Sequence, residues 1–162
     1  MTLRNASQSV GDWATVRDLR LHSGVGQITV PAGAYGDFNA TGSSGFTLGV
    51  IGTSEPTIYY FQSLTLNSGA QLQLLGRVIV VVGSGFSING GVVGNSANTA
   101  WLTLNIFNGG LTINQGAVVY GYVTAPAGIV TINGNCQLIG GLASDGLLIG
   151  SGGSLHLSPP PN

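Results

Sequence analysis

The chain has 162 residues, 28 of them glycine, with four arginines, no lysine and five acids. That length suits one domain or a compact repeat array with a buried core. An apolar fraction of 43% and a formal net charge of -1 exclude disorder, which needs low hydrophobicity and high charge. Three of the four arginines fall in the first 20 residues, so there is no basic footprint for nucleic acid or an anionic membrane surface. From residue 78 to 144 there is no Asp, Glu, Lys or Arg, which removes most side chains that acid/base catalysis, phosphate binding and hard-metal binding draw on.

The first 22 residues stand apart, since Arg4, Asp12, Arg17, Asp18 and Arg20 hold five of the nine charges beside Trp13 and His22. This composition predicts an N-terminal cap or docking segment over residues 1–22, with a short helix over residues 12–21 lying on the first coil of a repeat array. Met1 is followed by Arg4 and polar residues rather than by the apolar stretch of a signal peptide. The longest apolar run, Val78 to Val82, is far too short for a bilayer, so no membrane insertion is expected.

Residues 23–157 are governed by one recurring pattern: apolar, Ser or Thr, apolar, then Asn or Gly. It reads Ile28-Thr29-Val30, Phe46-Thr47-Leu48-Gly49, Leu64-Thr65-Leu66-Asn67, Phe86-Ser87-Ile88-Asn89, Leu111-Thr112-Ile113-Asn114 and Val130-Thr131-Ile132-Asn133, with Leu147-Leu148-Ile149-Gly150 as a degenerate copy. Successive first residues are 18, 18, 22, 25, 19 and 17 apart, and a period near 20 marks a solenoid rather than a sandwich. Period-two alternation makes each copy a half-buried strand, and glycine recurs too often after residue 22 for a helical face to survive. Further strands are expected at Tyr59-Tyr60-Phe61, Val78 to Val82, Leu102 to Ile106 and Gly121 to Thr124. The glycines and asparagines that follow strands supply the positive φ of tight corners. Lone Cys136 reads as a small core residue. The proline run in residues 158–162 stops strand pairing and forms a Pro-rich tail.

The fold class is therefore all-β: a right-handed parallel β-helix (β-solenoid) of about seven coils with a short N-terminal cap. Stacking predicts an outward hydroxyl column of Thr29, Thr47, Thr65, Ser87, Thr112 and Thr131, at about 4.8 Å per coil. Beside it, Asn67, Asn89, Asn114 and Asn133 are expected to form an amide ladder that holds the coils together. These eight residues from Thr65 to Asn133 are structural candidates. No catalytic, metal-binding or cofactor-binding residue is proposed, and no cofactor is expected. Asp37, Glu55, Arg77 and Asp145 are the only charges beyond residue 20 and lie far apart, a poor basis for a paired-carboxylate site. His22 and His156 lie near opposite ends, and Gly83-Ser84-Gly85 lacks the lysine of a phosphate-binding loop. Tyr59, Tyr120 and Tyr122 are the aromatic candidates for exposure and sugar stacking.

The strings Pro31-Ala32-Gly33-Ala34-Tyr35-Gly36, Tyr59 through Ala70, Gly121-Tyr122-Val123-Thr124-Ala125-Pro126 and Val130 through Asn135 resemble β-solenoid modules of secreted, surface-attached and pilus-associated bacterial proteins. The likeness spans residues 18–157. It implies an extracellular or cell-surface structural or adhesive role with no catalytic residues to carry over. A more distant likeness is to bactofilins, which polymerise end to end, and to bacterial ice-binding β-solenoids. Expected partners are thus other copies of the chain, stacked head to tail into filaments, or else a neutral polysaccharide or an ice surface. The ice reading is weakened by Thr-x-Asn, as in Thr65 and Asn67, where two threonine columns would be needed.

Overall fold

The computed structural model describes residues 1–159; residues 160–162 of the proline-rich tail lie outside the described residues. Fifteen strands follow one another along the chain: β1 (Thr2–Leu3), β2 (Leu19–Leu21), β3 (Gln27–Thr29), β4 (Gly33–Thr41), β5 (Gly45–Leu48), β6 (Thr57–Asn67), β7 (Gln71–Leu74), β8 (Val78–Val82), β9 (Phe86–Asn89), β10 (Val92–Val93), β11 (Leu102–Ile106), β12 (Leu111–Asn114), β13 (Val118–Ile132), β14 (Gln137–Ile149) and β15 (Ser154–Leu157). Every pairing among them is parallel. Alternation in sequence becomes alternation in burial, as in β8 and β11, where every second residue faces the core.

The strands fall into three ladders. The first steps through Thr2, Arg20, Asn39, Thr65, Ser87, Thr112, Thr131 and Leu148, seven coil-to-coil steps that make a parallel β-solenoid of about seven turns. The second joins Ile28, Phe46, Leu72, Val93, Val119, Leu138 and Leu155. The third joins Ala34, Tyr60, Val81, Asn105, Thr124 and Ala143. Long strands bend through the corners, and β13 serves all three ladders in turn.

The core is the space the ladders enclose. The first ladder sends Leu21, Ala40, Leu66, Ile88, Ile113 and Ile132 inward, all fully buried. Burying each Leu or Ile side chain is worth about 1.5–3 kcal/mol, offset by the entropy of ordering the chain. Aromatic rings fill the N-terminal coils: Phe38 lies 4.9 Å from both Tyr35 and Phe61 and 5.2 Å from Phe46, centroid to centroid. Tyr59 is also core, and its hydroxyl donates to the Val30 carbonyl at 3.1 Å and accepts from the Gly49 N–H at 2.9 Å. Burial pushes this phenol's pKa up, against the opposing pull of the Gly49 N–H. Aliphatic residues such as Leu104, Ile113 and Leu138 take over in the later coils.

Corners after the first ladder use tight turns. At Gln115-Gly116 both φ values are positive, 58° and 72°, and the Ala117 N–H closes onto the Asn114 carbonyl at 3.3 Å. Positive φ at both central residues is the signature of a type I′ turn, which explains the Asn and Gly that punctuate the repeats. Cys136 is free and buried just after the equivalent turn at Gly134-Asn135.

The N-terminal segment departs from the helix expected over residues 12–21. A 3₁₀ turn spans only Trp13–Thr15, capped by the Asp12 carboxylate on the Ala14 N–H at 2.9 Å, and Val16 is already extended. Leu19–Leu21 is instead β2, because it pairs with β1 on one side and β4 on the other. Ladder hydrogen bonds and burial of Leu19 and Leu21 outweigh a weak helical preference. Val10 and Val16 are buried too, so residues 4–18 form an irregular first coil over the N-terminal end.

Candidate functional site

The first ladder's outer face carries two polar columns. Thr65, Ser87, Thr112 and Thr131 are direct register partners in successive coils, and all four are half-buried. Two residues further along each strand stand Asn67, Asn89, Asn114 and Asn133. Their amides bond in a chain: Asn89 Nδ2 donates to Asn67 Oδ1 at 2.7 Å, Asn114 Nδ2 to Asn89 Oδ1 at 3.0 Å, and Asn133 Nδ2 to Asn114 Oδ1 at 3.0 Å. Each internal amide therefore donates down and accepts up, and polarisation along such a chain strengthens its members. Replacing Asn114 with alanine removes two of these three bonds and is expected to lower stability by about 1–3 kcal/mol, read as a lower midpoint in urea denaturation.

Thr29 and Thr47 do not belong to this column. They pair with each other and then with Gln73 in the second ladder, and Thr47 is buried. Arg20 and Asn39 occupy their expected places in the first. The sequence does hold a signal for the distinction. Copies of the repeat that end in Asn precede a type I′ turn and lie in the first ladder, whereas Val30 is followed by Pro31 and Leu48 by Gly49.

Among the tyrosines, Tyr59 is 1% exposed, whereas its neighbour Tyr60 is 49% exposed, so strand alternation puts the latter outside. Tyr120 and Tyr122 are half-buried. The Tyr122 ring lies over Gly141 of the next coil, where a Cβ would collide with it, and its hydroxyl meets the Pro159 carbonyl.

Asp18 and Asp37 are engaged in local structure. Asp18 Oδ1 accepts from the Asp37 N–H at 2.8 Å, and Asp37 Oδ1 accepts from the Ser63 hydroxyl at 2.7 Å. Among the described residues, no three His, Cys, Asp or Glu side chains come together in a metal-binding arrangement. No described helix is long and apolar enough to cross a membrane.

The two ends of the solenoid differ. At the N-terminal end Val10 and Val16 close the core beside Leu19 and Leu21, while the outer edges of β1 and β3 have no paired strand among the described residues. At the other end, residues 146–149 of β14 pair with β13 on one side, and no described strand pairs with the other. Leu148, the continuation of the Thr/Ser column, is 57% exposed, and Leu147 and Ile149, the register partners of buried Val130 and Ile132, are exposed as well. On the second ladder Leu157 is 76% exposed. In the sequence this strand is marked as the degenerate copy Leu147-Leu148-Ile149-Gly150, with Leu148 where the other copies carry Ser or Thr.

These features define a parallel β-solenoid whose last described coil leaves Leu147, Leu148 and Ile149 exposed. No protein-family model matches the chain, and no curated protein or solved structure is significantly similar to it.

Proposed function

We propose that this chain is a non-catalytic structural β-solenoid module that associates end to end, serving in extracellular filaments or as an adhesive or display module at a cell surface. The open C-terminal coil carries the reading. Its outer edge offers unpaired backbone groups flanked by exposed Leu147, Leu148, Ile149 and Leu157. Soluble β-proteins guard such edges with charge, especially lysine, and this chain has no lysine at all. All ladders are parallel, so a neighbour that extends them must run in the same direction, with the unpaired outer edges of its β1 and β3 against this C-terminal coil. Such a contact is heterologous and repeats without closing, which produces a filament. The resemblance to surface and pilus-associated solenoid modules supports the extracellular placement.

A second reading, a solenoid that binds neutral polysaccharide or ice, is favoured by the half-exposed hydroxyl and amide columns of the first ladder. One experiment separates the two: sedimentation velocity and negative-stain electron microscopy over a concentration series, on the wild-type chain and on Leu148→Lys. Wild-type protein is expected to grow into unbranched filaments of constant width. The exposed substitution should shift folding stability by no more than about 0.5 kcal/mol while abolishing growth by placing a charge on the edge. Monodisperse short rods at every concentration would overturn end-to-end association, and their depletion by an insoluble neutral glucan, or thermal hysteresis, would establish the second reading.

A further inference from the structure

The corners between the second and third ladders vary in length from coil to coil. Between β3 and β4, and again between β7 and β8, the corner is three residues long, 30–32 and 75–77. Between β5 and β6, and between β10 and β11, it is eight residues long, 49–56 and 94–101. In the next coil β13 passes through with no interruption. Two long corners thus flank the short corner 75–77 and stand two coils apart, about 9–10 Å at the usual strand spacing.

Between them lies a groove of about 170 Å³. Pro56 belongs to one wall and Trp101 to the other, Arg77 and Ile79 come from the coil between, and Thr103 continues from the Trp101 side. Trp101 is partly exposed, and the loop that carries it is tied down. Asn95 Oδ1 accepts from the N–H groups of Ala97 at 2.9 Å and Asn98 at 3.1 Å, and the Trp101 N–H donates to the Asn98 carbonyl at 3.0 Å. These bonds fix the loop backbone, and the Trp101 side chain itself packs against the core, so little ordering is left to pay on binding. Arg77 is exposed and is the only Lys or Arg after residue 20. The ion pair among the described residues is Arg17 with Asp18, so Arg77 has no carboxylate partner there, Glu55 beside Pro56 included.

We propose that this groove binds one ring of an acidic saccharide, a uronic-acid residue of a polysaccharide chain. The apolar face of the ring lies on Trp101, its carboxylate is held by the Arg77 guanidinium, and the Thr103 hydroxyl takes a ring hydroxyl. A planar fork matches a carboxylate with two parallel hydrogen bonds, which a neutral sugar cannot accept in the same way. The volume is below the roughly 300–1,000 Å³ of a site for a drug-sized molecule, which suits a single ring and excludes an enclosed cofactor. A single guanidinium with Glu55 nearby does not attract a dense polyanion such as nucleic acid. The groove lies on the side of the solenoid, so the proposal is independent of end-to-end association.

The test is a tryptophan-fluorescence titration of the Trp13→Phe chain, in which Trp101 is the only indole, with trigalacturonate and with maltotriose as the neutral counterpart. A saturable change with trigalacturonate that is absent with maltotriose is the expected result. Adding Arg77→Gln should weaken it by about 10–100-fold, since hydrogen bonds to charged groups are worth about 1.5–3 kcal/mol, while leaving the thermal midpoint unchanged. No saturable change, an equal response to maltotriose, or indifference to Arg77→Gln at an unchanged midpoint would each overturn the proposal.

Discussion

Replacing Phe38 with alanine is expected to destabilise the N-terminal coils by about 3–5 kcal/mol, the range for deleting a buried aromatic ring. Phe38 is 1% exposed and stands among Tyr35, Phe46 and Phe61, so its removal strips contacts from three neighbouring rings at once. Against a total stability of about 5–15 kcal/mol, such a loss is a large fraction. In a solenoid it is also local, because each coil touches only its neighbours and stability is close to a sum along the axis. Trp13 packs against Tyr35 at 6.0 Å between centroids, whereas Trp101 sits in a later coil. Urea unfolding followed at each indole, with the other replaced by phenylalanine, should show the two transitions separating in Phe38→Ala, the Trp13 signal melting first. Coincident transitions would mean that the array unfolds as one cooperative unit.

The second large effect is expected at Gly128. This residue is buried at the bulge where β13 turns from the third ladder to the first, and a Cβ there would overlap the Gly109 carbonyl oxygen of the preceding coil. That backbone cannot retreat freely, because the adjacent Gly110 carbonyl accepts from the Phe86 N–H at 3.0 Å in the coil before. Gly128→Ala should cost about 3 kcal/mol, the upper part of the overpacking range. Gly116→Ala makes the control. Its Cβ would meet nothing within 4 Å, and only the φ of +72° opposes it, a strain of about 1 kcal/mol. The comparison, read from urea midpoints, separates the need for close coil approach from the need for a left-handed backbone. Equal losses at both sites would show that the coils are looser at the corner than their contacts imply.

Both predictions rest on features only partly legible in the sequence. The strands themselves were readable, because apolar-Thr-apolar alternation has one physical meaning wherever it occurs. Alternation alone concealed which ladder a strand joins: Ile28-Thr29-Val30 and Leu64-Thr65-Leu66 alternate alike and lie on different faces, and only the residue that follows, Pro31 or Asn67, marks the difference. The amide ladder was foreseeable from Asn67, Asn89, Asn114 and Asn133 because Asn at a strand end serves both the turn and its stacked neighbour. The Arg77 groove was not. Arg77 and Trp101 lie 24 residues apart in the chain and meet because one coil stacks on the next.

By itself, the sequence determined that this protein is all-β, repeats with a period near 20 residues and turns its corners on Asn and Gly, since these follow from local alternation and backbone freedom. Tertiary structure alone decided which faces the repeats share, that residues 19–21 are strand rather than helix, which rings fill the first coils, and which strand edges lack a partner among the described residues. Those outcomes depend on contacts between residues about one coil apart, where register and corner length, not local preference, set what meets what.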